Sequence, residues 1–159
     1  MPMEEISQLN ETFDVVVSSL AFHYVEDFSG VVRNIYDLLE PGGNFIFSQE
    51  NPLCTCHSGE NRWTRNENGE KLYLNLANYG VEGERESVWF VDNVKKYHRT
   101  FSTIINTLIE AGFTVEKMIE PLPDDELLEK YPDYKDLFHK PDFLLVRVRK
   151  TPKKYQSPF

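Results

Sequence analysis

The stretch FDVVVSSLAFHYV, residues 13–25, constrains the fold more than any other part of this 159-residue chain. Phe13, Val15, Val16 and Val17 form an apolar run rich in β-branched residues and without alternation, the pattern of a parallel strand covered on both faces. It opens at Ser18 and Ser19 into polar and aromatic residues. Residues 26–39, EDFSGVVRNIYDLL, then place Phe28, Val31, Val32, Ile35, Leu38 and Leu39 at threes and fours, which predicts a helix with one buried stripe. Acidic residues at its start suit the helix dipole, and EPGG at residues 40–43 ends it, with positive φ cheap at glycine. NFIFSQE, residues 44–50, is a second short strand. Strand, helix and strand within about 40 residues make one parallel crossover, half of a doubly wound α/β sheet. In such a sheet the ligand crevice lies outside the carboxyl ends of the strands, here near residues 19–24 and 49–52.

The regular rhythm breaks after residue 50. Residues 51–70 are rich in Asn, Gly and Glu and read as a loop. KLYLNLANY (71–79) and ESVWFVDNV (86–94) flank a GVEGE turn region and read as an inserted β-hairpin, a candidate lid over the crevice. TFSTIINTLIEAGF then predicts a helix, capped by Thr100 or Ser102 and stopped at Gly112. TVEKMIEP is a further strand, DDELLEKYPDYKDLF a short acidic helix interrupted at Pro132, and FLLVRVRK a last strand.

With 40% apolar residues, the chain fits one globular domain with a real core. A formal net charge of -9 argues against a nucleic-acid partner, since affinity for a phosphate backbone rests on clustered Lys and Arg. The one basic cluster, VRVRKTPKK, is accounted for by a terminal strand and a solvated tail at residues 152–159. Cys54 and Cys56, with His57 beside them, lack the further ligands of a zinc set and are expected to be reduced thiols, so no metal is expected. No apolar run is long enough to cross a membrane and the start shows no secretory signal, so a cytoplasmic setting is expected.

The ordered phrases FDVVVSSLAFHYVEDF, LLEPGGNFIFSQENP, YHRTFSTIINTLIEAGFTVEKMIEP and KPDFLLVRVRK together resemble the carboxyl-terminal two thirds of class I S-adenosylmethionine-dependent methyltransferases, particularly the small-molecule type 11 group. The resemblance covers most of residues 1–151. It implies a partial Rossmann-like sheet with family strands in the order 4-5-7-6, flanking helices and the inserted loop and hairpin at about 51–97. The strand at 13–19 would be the family's fourth. The glycine-rich cofactor loop and the acidic ribose anchor, which belong to the family's first two strands, find no counterpart, and no G-x-G-x-G occurs in these residues.

The resemblance also implies a site. Met3 and Glu4 would lie near the adenine of S-adenosylmethionine, and Ser18, Ser19 and Leu20 would form the pocket floor beside the methyl group. Tyr24, Trp89, Tyr97, His98 and Arg99 would face a small-molecule acceptor. His23 is the candidate base, its ordinary pKa of about 6.5 suiting proton removal. Each has a plainer reading: His23 as a structural hydrogen-bonding residue, Tyr24 as a ring covering the sheet end, Arg99 as an ion-pair partner. Trp63 and Trp89 read either as an apolar lid or as packing within the insertion.

Three functions fit these residues. The first is a carboxyl-terminal portion of a small-molecule methyltransferase, with weak or absent cofactor binding and little activity alone. The second is a non-enzymatic remnant serving as a binding or dimeric assembly module, and the third is an enzyme completed by two copies, neither of which brings the glycine loop. Without the family's first three strands, the strand at 13–19 is an edge, so a homodimer is expected with residues 15–19 at or near the interface.

Overall fold

The computed structural model describes residues 2–56, 62–87 and 94–151. They fall into two compact units: one takes in the chain up to Gln49, Phe101–Ile119 and the chain from Leu145, the other Glu50–Thr100 and Glu120–Leu144.

The first unit is built on a four-stranded sheet. Strand β1 (Phe13–Ser19) pairs in parallel with β2 (Leu39–Glu50), from Val15 opposite Asn44 to Ser19 opposite Ser48. Helix α1 (Phe28–Leu38) connects them, and the Asp27 side chain caps it by accepting from the Gly30 amide at 2.8 Å. Its buried residues, Phe28, Val31, Val32, Ile35 and Leu38, are the stripe that the sequence predicts. β2 begins five residues earlier than expected, because the EPGG segment continues as an irregular extension opposite Phe13. Gly42 there has φ +87°, a conformation that only glycine adopts without strain.

After α3 (Phe101–Glu110), Gly112 turns the chain at φ +103° against the ring of Tyr36 and leads into β7 (Phe113–Ile119). β7 pairs antiparallel with the last strand, β8 (Phe143–Lys150), and the sheet order is β1-β2-β8-β7. This matches the expected 4-5-7-6 order of a Rossmann-like methyltransferase sheet. Period-two burial of Phe45 and Phe47 on β2, and of Leu144, Val146 and Val148 on β8, places one side-chain set per strand in the core. Phe22, Phe28, Phe45 and Phe47 form an aromatic cluster with centroids 4.9–6.5 Å apart. Each such fully buried ring contributes on the order of 1.5–3 kcal/mol.

β1 departs from the expected two-sided cover. It lies at the edge of the sheet, and Val15 and Val17 are 50% and 68% exposed while Val16 and Ser18 are half-buried. An edge strand covered on one side alternates, whatever its apolar content.

The second unit departs further from the sequence reading. The presumed loop at 51–70 contains a short helix, α2 (Pro52–Thr55), and a strand, β3 (Trp63–Arg65). β3 pairs with β4 (Lys71–Leu74), while β5 (Gly83–Ser87) pairs with β6 (Val94–His98). Among the described residues the insertion thus holds two antiparallel strand pairs, with Lys71–Leu74 paired to Trp63–Arg65, while residues 88–93 of the expected second strand lie outside the described residues. The NENG turn decides the first: Asn66 Oδ1 accepts from the amides of Asn68 and Glu70, which closes the chain between β3 and β4. α4 (Asp125–Lys130), capped by Asp124, and a 3-10 turn over Pro132–Phe138 complete the unit, with the break at Pro132 as expected.

Candidate functional site

At the carboxyl end of β1 the chain leaves the sheet through Leu20, a non-glycine residue with φ 51°. The strained backbone is held by β2: the Leu20 amide donates to the Ser48 carbonyl at 2.9 Å, with Ser48 Oγ at 3.2 Å. Ser19 is exposed and Leu20 is at the surface. The Ser18 hydroxyl oxygen is buried and has no hydrogen-bond partner among the described residues. A buried hydroxyl without a partner costs free energy, so its position asks for a polar atom from outside this set.

The next turn, Phe22–Tyr24, is a single 3-10 turn. His23 is 3% exposed, with its ring 4.1 Å from that of Tyr24, and Tyr24 keeps its outer part in solvent. Met3 and Glu4 open a 3-10 helix, Met3–Gln8, which packs against α1. All seven residues belong to the first unit.

Tyr97, His98 and Arg99 belong to the second unit, at the end of β6, and Trp89 lies outside the described residues. His98 is fully buried, with Nδ1 2.7 Å from Thr55 Oγ1 and Nε2 2.8 Å from the Tyr79 carbonyl. A carbonyl only accepts, so Nε2 carries the proton and Nδ1 takes the Thr55 hydroxyl hydrogen. Burial pulls its pKa below the ordinary histidine value, an effect the Tyr79 carbonyl partly offsets. Arg99 turns back on its own strand, reaching the Tyr97 carbonyl at 3.5 Å with its guanidinium 5.8 Å from the Tyr97 ring. Thr100 donates its amide and hydroxyl to Glu82 at 2.7 and 2.9 Å.

Comparison with known proteins gives this arrangement a family. Residues 1–47 match a model described as a methyltransferase domain. An S-adenosylmethionine-dependent methyltransferase of known structure from Listeria monocytogenes is 36% identical, with a TM-score of 0.84 over 96% of this chain and 68% of its own. The chain belongs to the S-adenosylmethionine-dependent methyltransferase family. An uncharacterized protein of Haemophilus influenzae is 42% identical over 154 residues, 96% of this chain and 60% of the relative. The mitochondrial arginine-hydroxylase NDUFAF5 of Danio rerio is 45% identical over 117 residues, 72% of this chain and 30% of that protein. The chain thus spans less than two thirds of the curated relatives it matches.

The family's methyl donor is S-adenosylmethionine, and the end of β1 has groups that fit it. The Ser18 hydroxyl, buried and without a partner among the described residues, would be free to take a polar contact from that donor, and Ser19 beside it is exposed. The chain leaves a parallel strand here, where α/β folds place their ligands.

The second unit holds groups that sequence reasoning missed. Asn51 is fully buried: its Oδ1 accepts from the Leu53 amide at 2.9 Å and its Nδ2 donates to Glu120 at 2.6 Å. Asn followed by Pro52 at the first helical position is a helix-start signature, so this role was legible in residues 51–53. Lys96 pairs with Glu50 at 2.5 Å. A cavity of about 620 Å³ is lined by residues that include Trp63, Leu127, Lys71, Asp136, Lys140 and Asp142. Lys71 lies over the Trp63 ring at 4.9 Å and pairs with Asp136. Lys140 pairs with Asp142 and reaches Cys54 Sγ at 3.1 Å. Burial pushes the Cys54 thiol up, which the Lys140 ammonium only partly offsets. No helix among the described residues is long and apolar enough to cross a membrane.

Proposed function

We propose that this chain carries part of the donor site of a methyltransferase acting on a small molecule. One observation supports it most: the buried, unpartnered Ser18 hydroxyl at the carboxyl end of a parallel strand, beside the left-handed Leu20. Met3 and Glu4 then contact the adenine end of the donor, and Ser18, Ser19 and Leu20 floor the pocket. The donor supplies a methyl group on a sulfonium, and the protein's task is to align an acceptor with it and exclude water. Tyr24, partly in solvent beside His23, borders the acceptor side, and His23 takes the acceptor's proton where one must leave.

These residues contain no glycine-rich loop, so the chain alone binds the donor weakly and turns over little. Isothermal calorimetry with S-adenosylmethionine tests this, with no tight binding expected; a micromolar dissociation constant would refute it. The exposed Val15 and Val17 on edge strand β1 support a homodimer through residues 13–19. Monodisperse monomer in sedimentation, with fast amide exchange at 15–19, would exclude that dimer. Two free thiols accord with a cytoplasmic setting.

A second reading rests on the 45% identity to an arginine-hydroxylase. On it, the same fold serves hydroxylation of an arginine. Mass spectrometry of an arginine-containing acceptor separates the two readings, since methyl transfer adds one carbon and two hydrogens and hydroxylation adds one oxygen.

A further inference from the structure

The cluster formed by Cys54, Lys140 and Asp142 is used by neither reading above. Cys54 sits on α2, and Lys140 and Asp142 just precede β8. Lys140 is about nine-tenths buried, and its Nζ donates a hydrogen bond to Cys54 Sγ at 3.1 Å, which holds nitrogen against sulfur. The Asp142 carboxylate touches the same ammonium and has Oδ1 3.8 Å from the sulfur. Lys140 and Asp142 also border the 620 Å³ cavity, which gives a small solute a way to them. The second thiol is directed elsewhere: Cys56 is fully buried and its Sγ donates to the Leu53 carbonyl at 3.4 Å.

We propose that Cys54 and Lys140 form an oxidative modification site, in which peroxide joins them by a sulfur–nitrogen bond. Hydrogen peroxide first oxidises the Cys54 thiol to a sulfenic acid, and one water leaves as the O–O bond breaks. Sulfenic acids condense with nearby nitrogen nucleophiles to sulfenamides. Here Lys140 yields one proton to Asp142 and on to solvent, and its lone pair attacks sulfur. The S–O bond breaks, and hydroxide departs with the second nitrogen proton as water. In sum, thiol, ammonium and peroxide give the linked pair, two waters and one proton; sulfur is oxidised and peroxide reduced. The raised thiol pKa makes the first step slow at neutral pH, so the link accumulates under sustained peroxide. It ties α2 to the segment before β8 across 86 residues of sequence.

This inference is independent of the methyl-donor reading. The test is to treat the full chain with hydrogen peroxide, digest it without reductant and read the peptides by mass spectrometry. The expected product is a joined pair carrying Cys54 and Lys140, two hydrogen masses lighter than the sum of its parts and released by dithiothreitol. Lys140→Arg keeps the charge beside Asp142 but not the amine, and should trap a dimedone-reactive sulfenic acid on Cys54. A Cys54–Cys56 disulfide, a sulfinic acid with Lys140 free, or a joined pair that retains oxygen would each overturn the proposal. The wild-type product decides the matter even if the variant fails to fold.

Discussion

The two units of this molecule are held by different means. In the unit built on β1, β2, β7 and β8, the fully buried large side chains are apolar, led by Phe22, Phe45, Phe47, Ile104 and Val146. In the unit carrying the hairpins, the buried positions include Asn51, Thr55, His98 and Lys140, each tied to a named partner. Apolar burial is non-directional and tolerates approximate fit. A buried polar network depends on every member, because a group that loses its partner keeps the cost of its desolvation. The first unit should therefore fail through lost volume and the second through lost partners.

The largest effect expected is in the apolar unit. Phe45→Ala removes a fully buried ring from the aromatic cluster and should cost about 3–5 kcal/mol in urea unfolding. Loss of less than about 1 kcal/mol would mean that the cluster repacks freely. Next comes Asn51→Ala, which strands the Leu53 amide and the Glu120 carboxylate and should cost about 1–3 kcal/mol. Hydrogen exchange should localise that loss to Glu50–Thr100 and Glu120–Leu144, and uniform loss across both units would break the distinction drawn here.

The third expectation is pH dependence from His98. Its folded pKa is depressed by burial, so the unfolded chain takes up the proton first as pH falls. The contribution is complete above the unfolded value of about 6.5 and is lost as pH falls from there through the folded pKa. Stability should decline over that window in the native protein, and His98→Gln should flatten the decline. The smallest effect belongs to the exposed Lys95–Glu84 pair across β5 and β6: Lys95→Gln should leave the unfolding midpoint unchanged, as solvent screens such pairs.

The same contrast governs what the sequence discloses. α1, α3, β7 and β8 follow from apolar periodicity in residues 26–39, 101–112, 113–119 and 143–150, because burial against one core writes itself into local spacing. The exposure of Val15 and Val17 is not in that spacing; a valine-rich strand looks the same whether both faces are covered or one. The pairing of Trp63–Arg65 with Lys71–Leu74 was hidden because both strands are short and their alternation weak, although NENG between them is a turn signal. Of the candidate site, the Ser18, Ser19 and Leu20 exit from β1 was legible from the polar ending of an apolar strand. His98 was singled out for an acceptor role, and its engagement with Thr55 and Tyr79 was not readable. No local signal links Cys54 to Lys140, since only the tertiary fold brings them together.

The most direct test of the donor site is a titration of the isotopically labelled chain with S-adenosylhomocysteine, followed through backbone amide chemical shifts. The account predicts progressive shifts at Met3, Glu4, Ser18, Ser19 and Leu20, still unsaturated near roughly 1 mM ligand, a free energy no stronger than about -4 kcal/mol. Shifts confined to the hairpin unit, or none at Ser18, Ser19 and Leu20, would contradict it.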